Sequence, residues 1–509
     1  MVGLHQGIEQ SLRPSVIQKI NTSKLVIYMW LDSGKIFSNE TFTESIEIQT
    51  GEKVVFDGCT FNTVDTPIRV YFDGTTDIEV RNCVFNARVP VKNNETQGRT
   101  IHVYGYNKPG SSFLFENNNV IGYRGVWLQE MPDTLKVSIQ GNIIREIQGR
   151  PADGNGGFKL QPDPNGENSQ AISVAEVTGP NIDIDWNVVE NTPYESKVED
   201  VISIFACKGT ADSPLSISNN LIVGSYDYNP VANKSYSGSG IQVESGSQFC
   251  KIEGNVVVQA GNTALALSWV SDSVVKDNVV VNTGFLEDGS MVAQVWRGLL
   301  LGNPGWPQGE AGTKRNVASG NYIQYPQNIE DGSQRWGDSI HVAAGNSSTD
   351  KAITTPATKA DEQKAIDDYW ARVTNLGVSI GVGGVIPDPD PDPDPDEPGD
   401  GNGDPTDPPT GGDDPTVDLS LSEIAKSVYK ASNQLKINAK KLSDELGTGT
   451  ANMSEVPAKV DELEAEVYEI NIQMDSLVDI NAAIGKFINK MNNKLGALAS
   501  GIESLKTLM

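Results

Sequence analysis

Histidine is almost missing from this chain: three residues, His5, His102 and His341, in 509. Their spacing offers neither a His-based metal cluster nor a Ser-His-Asp arrangement. Cysteine is scarce too. Four residues with no Cys-x-x-Cys pair exclude a zinc ribbon and a disulfide-dense secreted scaffold. Positive charge is in short supply, since 39 Lys and Arg against 67 Asp and Glu leave a net charge of −28. That balance argues against nucleic-acid binding, which depends on neutralising phosphates. Long apolar runs are absent, so no stretch reaches the length of a transmembrane helix. The opening "MVGLHQGIEQSLRPSVIQKI" lacks the apolar centre of a secretory signal. The expectations are no nucleic-acid partner, no membrane, no metal, no cofactor and synthesis in a cytosol. Aromatic residues make up only 7%, whereas glycine numbers 50, which suits a turn-rich β protein.

What the chain does contain is a repeat. "FDGCTF" around Cys59 and "VRNCVF" around Cys83 place cysteine in equivalent slots, and in later copies the slot holds asparagine. "FENNNV", "IQGNII", "IDWNVV" and "ISNNLI" centre it on Asn118, Asn142, Asn187 and Asn220. "IEGNVV", "VKDNVV" and "ASGNYI" centre it on Asn255, Asn278 and Asn321. The intervals run from 23 to 45 residues, with the shortest setting the unit and the longer ones carrying loops. The intervening segments alternate Val, Ile and Phe with polar residues and break at Gly, Asn and Asp, which is strand-and-turn patterning. Three short strands and three turns fill one coil of a parallel β-helix, and successive coils stack at about 4.8 Å. Residues in the slot then form a ladder of stacked side chains, where amides bond each other and the backbone. Small, burial-tolerant cysteine can occupy the first rungs, Cys59 and Cys83, as a free thiol.

These motifs resemble the right-handed parallel β-helix superfamily, which includes pectate-lyase-like enzymes and many phage tailspikes, over roughly residues 21 to 346. The resemblance implies an all-β right-handed parallel β-helix. One such fold hosts many activities, so it assigns no chemistry. The expected organisation is an N-terminal segment or cap at 1–21, the β-helix at 22–346, and a helical cap and connection at 347–386. Within the last, "DEQKAIDDYWARVTNLG" (Asp361–Gly377) is expected to form a helix that covers the open end of the solenoid.

An acidic Pro/Asp/Gly linker follows at 387–416, with 11 acidic residues and no basic one. Alternating Pro and Asp cannot build a core and favour an extended spacer. The remaining 417–509 reads as an α-helical coiled-coil oligomerisation domain. Leu421, Val428, Leu435 and Leu442 recur every seven residues, and from Val456 to Met509 apolar residues alternate steps of 4 and 3. Val460, Val467, Met474, Asn481, Ile488, Leu495 and Ile502 take position a, while Leu463 through Leu505 take d. A homo-oligomer through 456–509 follows, with trimer favoured over dimer. "LGTGTANMSEVPAKVDEL" also resembles a short segment of tail and baseplate proteins of phages and phage-like particles.

Candidate sites are few. Arg145, Arg150 and Lys159 in "REIQGRPADGNGGFK" form a basic crevice only if their loop folds back, and an ordinary surface loop is the expectation. In "NIDIDW", Asp183 and Asp185 project from one strand face, close enough for an inverting glycosidase pair. Acidic pairs on an exposed strand are nonetheless common in so acidic a chain. Carbohydrate-binding candidates are stronger: "TIHVYGY" turns His102, Tyr104 and Tyr106 outward, and "RGVWLQ" exposes Trp127. The longest excursions could wall a groove, and one carries Trp296, Arg297 and Trp306. Exposed rings with polar rims suit pyranose stacking, although interfaces also favour such residues. The leading expectation is a virion fibre or tailspike-like protein that binds host-surface polysaccharide beside other virion or tail proteins. A polysaccharide lyase or glycoside hydrolase on the same scaffold is one alternative. A head-fibre or decoration protein without ligand is the other.

Overall fold

The computed structural model describes residues 18–20, 27–160, 166–232, 237–328 and 332–384. The spacer at 387–416 and the coiled coil at 417–509 lie outside these residues, as do positions 1–17 of the expected N-terminal segment.

Three long sheets wind around one apolar core, as in a parallel β-helix. Each coil contributes one strand to sheet A, then to sheet B, then to sheet C. Sheet A runs from Gln18–Ile20 to Ile340–Val342 in twelve strands, of which the first pairs antiparallel and the others parallel. Sheet B has eleven strands, Lys35–Ser38 to Ser347–Ser348, and sheet C has ten, Thr41–Phe42 to Tyr322–Gln324. Alternation explains the core: Ile101 and Val103 are buried while His102 and Tyr104 face out. Parallel register then stacks like on like, so that Ile68, Ile101, Val126, Ile172 and Ile202 form one aliphatic column inside sheet A. In the early coils Phe61 stacks on Phe85 with ring centres 4.6 Å apart.

The corner from sheet B to sheet C has a fixed local recipe. One residue takes a left-handed conformation, and the ladder residue follows it. Asn82, Asn117, Gly141, Asn219, Gly254, Asp277 and Gly320 fill the left-handed slot, with φ between 54° and 71°. Asn, Asp and Gly tolerate that region best. Trp186 is the exception at φ 55°, and its bulky side chain is held by packing described below.

The ladder itself is continuous and directional. The backbone N–H of each rung from Cys83 to Asn278 donates to the side-chain oxygen of the next, at 2.9–3.2 Å. From Asn118 on, each amide nitrogen donates to that same oxygen at 2.8–3.0 Å. Each also reaches a buried carbonyl of sheet B, as Asn220 does to Ile184 at 3.0 Å. Such a chain needs a last member that only accepts. Asp350 supplies it, taking the Asn321 backbone N–H at 2.9 Å and its amide at 2.7 Å. At the other end, Cys59 N–H reaches Cys83 Sγ at 3.3 Å. All four cysteines are buried free thiols. A shorter ladder, not anticipated from sequence, links Cys250, Ser273, Asn316 and Asn346 at the corner from sheet A to sheet B.

Among the described residues there are two helices: α1 (Pro307–Gly312) within a coil, and α2 (Lys359–Leu376) after the last strand. Thr358 caps α2 in a reciprocal box with Asp361, and Gly377 ends it at φ 64°. This is the helix expected to cover the terminal coil. Instead it lies along the outside of sheet C. Tyr369, Val373 and Ala365 bury against Val188, Leu221, Val256 and Val281, with Trp186 beside them. Glu362 accepts from Thr283 N–H (2.6 Å), Arg372 donates to Gly254 O (2.8 Å), and Gly381 N–H reaches Gly141 O (2.6 Å). The chain therefore runs back past several coils. Eighteen helical residues span about 27 Å, close to the rise of the coils they cross. The cause is apolar surface: sheet C presents Val and Leu outward, and α2 is the segment that buries them.

Candidate carbohydrate-binding face

The later coils of sheet C are covered by α2, and sheet B carries charged pairs such as Glu79 with Lys53 and Glu253 with Lys276. Sheet A differs. Its outward column runs Arg69, His102, Trp127, Ser173, Ser203, Gln242 in consecutive coils. His102 lies flat on Trp127, with ring centres 4.5 Å apart and planes 7° from parallel. The next two positions are serines, so the column drops from an indole to small hydroxyls. Ser203 and Gln242 point outward from the sheet yet are only 8% and 4% exposed, so neighbouring chain covers them.

Tyr71 braces the imidazole, its hydroxyl 2.6 Å from His102 Nδ1. Burial, followed by the charges of Arg99, Arg69 and Arg124, holds the His102 pKa down to about 4. The ring is thus neutral at physiological pH. Arg99 stacks its guanidinium 3.9 Å from the Trp127 ring centre. Its pKa falls to about 9, chiefly through burial and then through the charge of Arg124. Arg124 pairs with Glu167 at 3.1 Å, and Arg69 with Asp65 at 2.5 Å.

The remaining ring candidates divide. Tyr104 continues the outer face, and its hydroxyl donates to Glu130 at 2.7 Å. Tyr106 lies beyond the strand end at φ 49° and meets Tyr104 edge-on at 4.4 Å, so the expected straight row of three stops at a corner. Trp296 and Arg297 sit far along the solenoid, where Arg297 binds Gln327 and the Asp338 carbonyl. Those contacts brace a hairpin, and the guanidinium lies 5.2 Å from the Trp296 ring centre. Trp306 belongs to another group, edge-on to Trp269 at 5.6 Å. Sequence reading missed Trp269. It is 45% exposed in a left-handed conformation, φ 59°, with its N–H bonded to Thr313 Oγ1. A tryptophan directly after the apolar strand "TALALS" was the available signal.

The basic loop forms no crevice. Arg145 pairs with Glu190 at 2.6 Å, Arg150 is buried and spends its guanidinium on Gln148 and on the carbonyls of Tyr194 and Glu195, and Lys159 bonds the Asn94 side chain. Asp183 and Asp185 do share the outer face of sheet B. Burial raises both carboxyls above the usual range, while Asn219 donates to Asp185 at 2.9 Å. They lie on a different face from the rings. Among the described residues no three His, Cys, Asp or Glu side chains converge as a metal-binding group, and no helix is long and apolar enough to cross a membrane.

No protein-family model, curated protein or solved structure matches this chain.

Proposed function

We propose that this chain is a fibre or tailspike-like component of a phage or phage-like particle, and that sheet A presents its binding face to polysaccharide on the host surface. The observation that carries the reading is the outer column of sheet A, where the stacked His102 and Trp127 rings stand beside the polar side chains of Ser173, Ser203 and Gln242. Such an arrangement offers a sugar an aromatic edge with hydroxyl and amide partners next to it. The proposed parentage is the right-handed β-helix superfamily. Residues 456–509 would tie copies into a trimer, and several weak sites on one particle gain by avidity. A polysaccharide-cleaving enzyme is the less favoured reading, because the raised carboxyl pair Asp183 and Asp185 sits on sheet B, on a different face from His102 and Trp127.

Purified full-length protein, immobilised and challenged with host capsule and wall polysaccharides, tests this directly. Trp127→Ala is expected to weaken capture by roughly tenfold or more, the equivalent of about 1.4 kcal/mol per site. Capture that survives the substitution unchanged would remove sheet A from the reading. Shortened polysaccharide chains after incubation would favour the enzyme instead.

A further inference from the structure

Around Trp127 on sheet A lie buried donors that have nothing to bind. Arg99 is only 8% exposed. Beyond stacking on Trp127, its guanidinium makes one long hydrogen bond, to Gln170 Oε1 at 3.4 Å, and its Nε has no partner. Arg124 Nε and His102 Nε2 are buried and unpartnered as well. In the tautomer that accepts the Tyr71 hydroxyl at Nδ1, the neutral imidazole carries its proton on Nε2 and offers a third free donor. A buried guanidinium without an anion is costly, and native proteins pair or coordinate such groups. Glu167 and Glu199 favour the charge of Arg99 from a distance, yet among the described residues no carboxylate hydrogen-bonds it. Asp65 is taken by Arg69, Glu167 by Arg124, and Glu199 by Gln170 and Asn168.

We propose that Arg99, Arg124 and His102 form an oxyanion pocket beside Trp127, so that the saccharide taken by sheet A bears a carboxylate, sulfate or phosphate group. This rests on the carbohydrate reading of the same face. It adds the selectivity: the acidic substituent of the saccharide accepts from the three donors that surround the Trp127 ring. Charge-assisted bonds of this kind are about twice as strong as neutral ones, and in a chain of net charge −28 they offset the general repulsion of an acidic polymer.

Calorimetric titration of the full chain settles it. The probes are a neutral glucose oligosaccharide, matched oligosaccharides bearing glucuronate, sulfate or phosphate, and inorganic phosphate alone. At least one acidic oligosaccharide is expected to bind tenfold or more tightly than the neutral one, with inorganic phosphate competing. Arg99→Gln should abolish that preference, and Arg99→Lys should retain part of it. Equal binding of neutral and acidic probes, a preference that survives Arg99→Gln, or silence towards every probe overturns the pocket. Binding of inorganic phosphate that is lost in Arg99→Gln, with no saccharide bound, keeps the pocket and removes the carbohydrate reading. Should Arg99→Gln fail to fold, the thermal midpoint serves instead. Phosphate is expected to raise it in the wild type and not in Arg124→Gln, and an equal rise in both counts against the proposal.

Discussion

Two sides of one solenoid treat polar groups in opposite ways. At the corner leading into sheet C, the amides from Asn118 to Asn321 bond each other, buried carbonyls and finally Asp350, and α2 closes the apolar surface outside. On the sheet A side, Arg99 Nε, Arg124 Nε and His102 Nε2 are buried with no partner. The ladder is complete within the chain. Under the proposal above, the second group is completed by an acidic ligand. Burial without satisfaction costs free energy wherever it occurs, and against sheet C the Tyr369 hydroxyl and Arg372 Nε also lack partners; beside Trp127, however, such donors belong to two arginines and a histidine at once.

The sharpest way to break the comparison is to open the ladder. Asn220→Ala strands the backbone N–H and amide of Asn187 and removes Asn220's own bonds to Ile184 and Asn255. At roughly 1–3 kcal/mol per stranded donor, a loss of about 5 kcal/mol is expected in urea unfolding. A change below about 1 kcal/mol would mean that the stack is ornamental. Next comes the cover. Tyr369→Ala should cost about 3–5 kcal/mol and expose sheet C to a hydrophobic dye. Tyr369→Phe should be neutral or stabilising, since the buried Tyr369 hydroxyl has no partner.

The third test concerns sheet A. The His102 pKa lies near 4, below its ordinary 6.5, so between those values the unfolded chain binds the proton more readily. Its contribution is whole above about pH 6.5 and is lost as pH falls towards 4. His102→Gln should therefore flatten the acid limb of a thermal-midpoint profile while leaving the neutral limb in place. The smallest effect is expected from Cys83→Asn, which offers Cys59 N–H an amide oxygen in place of sulfur. A shift under about 1 kcal/mol fits the view that thiol and amide are interchangeable rungs. A large loss would make the cysteines special.

Legibility tracked distance along the chain. The slot residues, the outward placement of His102 and Trp127, and the outward pair Asp183 and Asp185 follow from short alternation and turn chemistry. Asp350 escaped because a terminal acceptor breaks the asparagine pattern that revealed its neighbours. Trp306 and Trp296 are ten residues apart in sequence yet belong to different groups, since an excursion length does not say which corner its ends return to.

By itself the sequence determined the repeat, because a two-residue alternation and a left-handed corner are enforced within each coil. Sterics of single residues and the apolar count of each strand suffice for that. Only the tertiary structure decided that α2 runs back along sheet C, that Arg150 is an internal clamp, and that three donors meet beside Trp127. Those outcomes depend on which surfaces remain uncovered once the coils are stacked, a quantity summed over residues far apart in the chain.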